Sequence, residues 1–178
     1  MKKFFKHLSL VLKHKAMVFK LCRNCGIAWR GFWHDTSKFS FVEFWESVKY
    51  FEGNRSPLDA CRQANGYSKA WLHHKGKNKH HLEYWFDFEN KTQAIIPYKY
   101  VVECICDKIA ATKCYKGKTY KPEMVLDHWQ RIGSKVPINE KINQYITTIF
   151  TDLINLDENS VLNKKYLQTK YKQIVDNK

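Results

Sequence analysis

Eight histidines occur in this chain, seven of them in its first half, and four fall within one nine-residue stretch that starts at His73-His74 and ends at His80-His81. A neutral imidazole is a favoured ligand for zinc, iron and similar ions, and a carboxylate hardens such a site and can bridge two ions. His34-Asp35 puts one group of each kind side by side at the end of a short apolar segment, where both can aim at one point. That combination points to metal-assisted chemistry, with Asp35 able to reach a second ion. Lys38 follows four residues after His34. If the helix continues for one more turn, its ammonium points the way His34 points, where a substrate phosphate would sit. The plain alternative is a surface lysine just before the cap at Ser40.

Geometry limits what the paired histidines can do. On an unbroken helix His73 and His80, or His74 and His81, stack about 10 Å apart at 1.5 Å per residue, too far for one ion. A break at Gly76 would let one histidine of each pair converge. Asp107 stands one turn after Glu103 on the same face of a very apolar segment. An unpaired carboxylate there is costly, so a cation or strong donor should meet it, whether a metal or a buried lysine or arginine.

The elements that must position these groups read as helices. Phe4, Leu8, Val11, Leu12, Val18 and Phe19 keep near-helical spacing, which predicts a first helix over 3–24 ending near Gly26. Residues 27–35 read as a short second helix. Ser40-Phe41-Val42-Glu43 has the form of a capping box, and Phe41, Phe44, Trp45, Val48 and Phe51 follow on one side. Ser56-Pro57 opens a helix that Asn65-Gly66 ends. Ser68 caps another through His74, Gly76-Lys77-Asn78 interrupts it, and a further piece begins near Lys79. Pro97 starts a long helix to about Tyr115, apolar nearly all round and therefore central. Three more helices are expected from Pro122, around Ile142, and after Asn159-Ser160. With seven glycines, four prolines and no strand pattern of weight, the fold class is all-α, an irregular helical bundle. Residues 1–116 hold the candidate chemistry, and 117–178 form a helical extension packed on the same domain.

The formal net charge is +14 over 178 residues, which predicts an anionic partner. An anionic small molecule such as a nucleotide suits it, and nucleic acid is possible. Six cysteines fit a reducing compartment as free thiols, and Cys22-x-x-Cys25 lacks a second such pair for zinc. The opening apolar run is shorter than the roughly 7–15 residues of a secretion signal, and no stretch approaches transmembrane length. The expectation is a cytoplasmic protein with no membrane partner.

Taken in order, His14, His34-Asp35 with Lys38 after it, the histidine pairs, and Asp107 in CDKIAA resemble the HD-domain metal-dependent phosphohydrolase superfamily over about residues 7–116. The longer wording, HDTSKFS, GYSKAWLHHKGKNKHH and the CDKIAA helix, also resembles an uncharacterised bacterial and phage family. The superfamily resemblance implies that His14, His34, Asp35 and Asp107 hold one metal. It implies a second metal on Asp35 with histidines drawn from His74, His80 and His81, and His7 as an alternative to His14. His128 has no partner in sequence and reads as structural.

The implied activity is phosphoester hydrolysis of a nucleotide or cyclic nucleotide. Asp35 and Lys38 would stand at the reacting centre, with one or two divalent ions: manganese, zinc, iron, nickel or cobalt. One rival is a mixed-valent di-iron oxygenase of the same fold type. The other is a basic nucleic-acid-binding protein with a vestigial site, using Trp71, Tyr84 and Trp85 for stacking.

Overall fold

A computed structural model describes residues 1–133 and 137–177. Among the described residues there are ten α-helices and almost no strand. They are α1 (Lys2–Asn24), α2 (Ala28–Trp33), α3 (Phe41–Lys49), α4 (Pro57–Asn65), α5 (Lys69–Lys77), α6 (Tyr98–Lys116), α7 (Glu123–Gly133), α8 (Glu140–Asn155), α9 (Glu158–Val161) and α10 (Lys164–Tyr171). Two-residue strands β1 (Phe86–Asp87) and β2 (Thr92–Gln93) pair antiparallel, Phe86 opposite Gln93, in the connection before α6. The all-α expectation holds.

The central helix is α6, as its composition predicts: Val101, Val102, Ile105, Cys106, Ile109 and Ala110 are all buried on it. One face of α1 packs there through Val18, Leu21 and Cys22. The other side of the same continuous core comes from Trp129, Ile142, Tyr145, Ile149, Phe150 and Leu167 on α7, α8 and α10. The C-terminal part is therefore built into the core. Tyr171 Oη donates to the carbonyl of Ile96 at 2.7 Å, and Tyr145 Oη to that of Leu167 at 3.1 Å. All six cysteines are free, five of them buried, in keeping with packing roles.

One helix start and one buried face differ from expectation. Asn159-Ser160 lies inside the single turn of α9, which Asp157 caps, and the last helix begins after the Asn163 cap. Ser40 caps α3 by accepting from the Glu43 amide, but the buried face of that helix is Glu43, Phe44 and Ser47, while Phe41 and Trp45 are exposed. α2 rides directly on α1 at Gly31, where an added Cβ would stand 2.6 Å from Cys22 Cβ and 3.0 Å from Phe19 Cα. Only glycine allows that approach.

Candidate metal centre

His14 projects from the buried face of α1, one turn before Val18. The expectation that α2 continues through Asp35 is corrected. It stops at Trp33, His34 is extended (φ −54°, ψ 129°) and Asp35 is left-handed (φ 50°, ψ 30°). Aspartate adopts that conformation more readily than bulky residues do. The reversal turns both side chains inward, His34 1% and Asp35 3% exposed. Lys15 Nζ fixes the bend by donating to the carbonyls of Phe32 (2.7 Å) and His34 (2.6 Å), a cation at a helix C-terminus. A single 3₁₀ turn over Thr36–Phe39 follows, so Lys38 does not lie one helical turn above His34. It reaches the site by another route, its Nζ 2.6 Å from Asp35 Oδ2.

The break among the paired histidines falls at Asn78, the last residue of the expected Gly76-Lys77-Asn78 interruption. α5 runs through Gly76 and ends at Asn78, which is extended (φ −110°, ψ 105°). Asn78 Nδ2 donates to the carbonyl of His74 (2.9 Å) and to Ser37 Oγ (2.8 Å), pinning the turn to the segment after Asp35. The chain then doubles back, bringing the His80 and His81 rings within 6.4 and 4.7 Å of the His74 ring, centroid to centroid. Both members of the second pair arrive. Of the first pair only His74 does, because His73 turns away to Glu43 Oε1 at 2.6 Å.

Potential ligand atoms gather in overlapping groups, each with all its atoms within 4.8 Å of one another. One group is His14, His34, Asp35 and Asp107; a second is Asp35, His74, His80 and His81; a third is His34, His80 and Glu103. Asp35 belongs to the first two and divides its oxygens between them. Oδ2 is 3.3 Å from His34 Nε2, whereas Oδ1 is 3.4 Å from His80 Nε2 and 3.5 Å from His74 Nε2. Asp107 Oδ1 lies 3.0 Å from His14 Nε2 and 3.4 Å from His34 Nε2. The expected partner for this carboxylate is thus histidine on two sides, and the buried arginine pair belongs to Glu103, 2.7 Å from Arg30.

Two acids escaped the sequence reading, and both work on the far side of the rings. His34 Nδ1–H donates to Glu103 Oε1 (3.1 Å), and His80 Nδ1 lies 3.3 Å from the same oxygen. His74 Nδ1–H donates to Glu43 Oε2 (2.7 Å). Carboxylates that hold Nδ1 leave the Nε2 lone pair facing inward, the arrangement found behind metal-ligating histidines. Glu103 was visible as the residue one turn before Asp107. Glu43 was hidden by its place in the capping box.

These donors fit a metal ion. The Nε2 atoms of His14, His34, His80 and His81 and Oδ1 of Asp35 are buried, with no hydrogen-bond partner. Buried polar atoms rarely go unpaired, since each costs roughly 1–3 kcal/mol. Five gathered in one small region could be met by a metal ion. Burial, with Lys38 second, lowers the His14 pKa, and burial with the neighbouring His80 and His74 lowers that of His81, so both offer neutral nitrogens. Burial alone would raise Asp35 and Asp107. The surrounding histidines, with Lys38 beside Asp35, more than offset it and hold both well below the usual carboxylate range. Glu103 is likewise lowered to about 2 by His34 and His80 against the effect of burial. Every acid of the centre is therefore ionised.

Beside these donors lies a cavity of about 190 Å³, lined in part by His14, Asp35, Lys38, His74, His81 and Asp107. Its far wall is apolar, with Leu10, Val11, Pro57, Leu58 and Ala111. His7 also faces it but joins none of the ligand groups; its ring packs between Phe44 and Phe51 at 5.3 and 5.4 Å. Two wider openings, about 500 and 600 Å³, share Ser56 and Asp107 with it and carry Lys108 and His128. His128 joins no ligand group. Trp71 holds Arg62 over its face (4.8 Å) and His81 at its edge, while Trp85 Nε1 donates to the carbonyl of Lys79. These two rings are engaged within the fold.

Among the described residues no helix is long and apolar enough to cross a membrane. No curated protein and no solved structure matches the chain. The model of DUF5662, a family of unknown function, matches residues 3–152, from the first turn of α1 through most of α8, and the chain belongs to that family.

Proposed function

We propose that this chain is a metal-dependent phosphohydrolase of HD-domain type, releasing phosphate from a nucleotide or opening a cyclic nucleotide. The observation that carries the reading is the division of Asp35 between two buried groups of inward-facing nitrogens. His14, His34 and Asp107 would hold one divalent ion, and His74, His80 and His81 a second, with Asp35 common to both. Ions held there supply Lewis acidity toward a phosphoryl oxygen and make hydroxide available at neutral pH.

The chain's own residues do the rest. The Lys38 ammonium faces the cavity and is held by Asp35, so its charge is fixed where phosphoryl oxygens would gather. Next to Asp35, and despite burial, its pKa stays above the ordinary lysine value, so it remains charged throughout. At about 190 Å³ the cavity is smaller than the roughly 300–1,000 Å³ that encloses a drug-sized ligand. It suits a phosphoryl group, and the remainder of a nucleotide would lie along the wider openings beside Lys108 and Arg62.

The same donor set suits a di-iron oxygenase, so ligand variants do not separate the two activities. The test is a nucleotide and cyclic-nucleotide panel, run anaerobically with manganese and aerobically with iron. Phosphate release or ring opening without oxygen is expected, with Lys38→Ala lowering kcat/KM by about 10–1000-fold at unchanged metal content. Turnover only in the aerobic iron reaction, with oxygen consumed in step, overturns the reading, as does turnover in neither.

A further inference from the structure

The first acidic residue of this chain is Asp35, and the 34 residues before it carry eight lysines and arginines. The helices built from that segment also carry much of the exposed apolar surface. Phe5, Leu12 and Phe19 on α1 and Trp29, Phe32 and Trp33 on α2 are between 36% and 72% exposed. At 3.6 residues per turn, Phe5, Leu8, Leu12, Ala16 and Phe19 fall within about 80° of arc on α1. Lys2, Lys6, Lys13 and Lys20 fall within about 40° beside them. The core face, with Val11, His14 and Val18, is on another side of the helix. The close crossing at Gly31 sets α2 against Phe19, so its aromatics continue the stripe. Trp29 stacks on Phe32 at 6.0 Å, and Trp33 meets both edge-on.

We propose that this α1–α2 face docks on an anionic lipid bilayer. Apolar side chains with flanking lysines and interfacial tryptophans are what the headgroup boundary accepts, and each cation near an anionic leaflet strengthens the attraction. This departs from the expectation of no membrane partner. Charge complementarity selects the occupant. A second copy of this face would set the lysine row of Lys2, Lys6, Lys13 and Lys20 against its like. A nucleic acid would find phosphate contacts, but Leu12 and Ala16 offer nothing to a base. His14 points away from the stripe, so the docked protein would turn its cavity toward the aqueous side and its soluble substrate. Docking itself does not require the metal.

The experiment is sedimentation of the full chain with phosphatidylcholine vesicles, with and without phosphatidylserine. Tryptophan quenching by bromolipid in the same vesicles gives a second readout. Binding only with phosphatidylserine is expected, reversed by salt and unchanged in Asp35→Asn, which separates this proposal from the fate of the metal centre. Trp29→Ala with Phe32→Ala, and separately Lys13→Glu with Lys20→Glu, should each weaken partitioning at least about tenfold, while circular dichroism is unchanged. No partitioning onto phosphatidylserine vesicles overturns the proposal. So does equal binding to both vesicles, or binding to a mixed oligonucleotide that falls in the same variants while vesicles are ignored.

Discussion

Glu103 lines none of the three cavities beside the centre, yet its removal should weaken the metal centre as much as losing a weak ligand. One oxygen takes His34 Nδ1–H and lies 3.3 Å from His80 Nδ1, and the other takes the Arg30 guanidinium at 2.7–2.8 Å. His34 belongs to the first ligand group and His80 to the second, and both meet Glu103 in the third, so this single carboxylate orients nitrogens in the first two. In Glu103→Gln the side-chain shape is kept, but one acceptor becomes an NH₂ donor. If the amide oxygen faces the histidines, the NH₂ opposes Arg30; if it flips, His34 loses its acceptor. Hydrogen bonds to charged groups are worth roughly 1.5–3 kcal/mol, so the metal-free protein should lose about that much stability. Loss of an orienting carboxylate behind a ligating histidine should lower metal affinity about 10–100-fold. Competition with a chromophoric chelator for zinc measures the second effect and thermal unfolding the first. Arg30→Met in the Glu103→Gln background separates them, because it removes the opposed donors and should restore stability without restoring affinity. A metal affinity within about twofold of the parent protein, in a folded Glu103→Gln, would refute the reasoning.

Asp35→Ala should lose more metal than His81→Ala, since Asp35 serves two groups whereas His81 has His80 beside it; equal losses in elemental analysis argue against the shared role. Anaerobic addition of a tightly bound ion should stabilise the protein by about 4 kcal/mol at a thousandfold excess over Kd, raising Tm by about 8–16 °C. No shift with manganese, zinc or iron would count against the site. His7 supplies a test away from the ligands. Burial, with the Lys38 ammonium second, pulls it from the ordinary 6.5 to about 4. Between these values the unfolded chain binds more protons than the folded one, so stability rises with pH there and is lost as pH falls from about 6.5 toward 4. His7→Phe, whose ring suits the space between Phe44 and Phe51, should flatten that slope in urea unfolding of metal-free protein while leaving metal content unchanged. An unaltered slope would show that other groups carry it.

Most helices were legible because their signals are local. The periodicity from Phe4 to Phe19, Pro57 at the start of α4 and the caps at Ser68 and Gly66 act within a few residues, and tertiary structure leaves them standing. The ligand set was legible as a list of types, since buried helices seldom carry unpaired acids and histidines. Its geometry was not. The left-handed turn at Asp35 depends on Lys15, twenty residues earlier, holding the carbonyls of α2. The reversal at Asn78 depends on Ser37, forty-one residues earlier. The role of Glu43 inverted for the same reason. A glutamate three residues after a serine reads as half of a cap, and only the packing of α3 against α5 reveals that its oxygens belong to His73 and His74.

The charge held in this interior shows why so many protonation states are displaced together. Asp35 and Glu103 are buried and Asp107 is partly buried, all three held ionised by their neighbours, and Glu43 is likewise lowered by His74 and His73 against the cost of burial. Arg30 and Lys38 are the lysine and arginine partners paired directly with these acids. Four carboxylates against two cations leave two negative charges in a site too dry to screen them. Without metal, the balance must come from protons on histidine. That is the sense of the shift at His34, where burial lowers the pKa but Asp35, Asp107 and Glu103 raise it well above the usual value. His34 also offers its Nε2 to the first ligand group, so the proton that neutralises the metal-free site occupies a nitrogen that a metal needs. A divalent ion would displace that proton and supply the missing charge. Its affinity should therefore fall as pH falls, and proton release on binding, read in a weakly buffered dye assay, should accompany every ion taken up by the His34 group. Uptake with no proton released would mean that the first ion goes elsewhere.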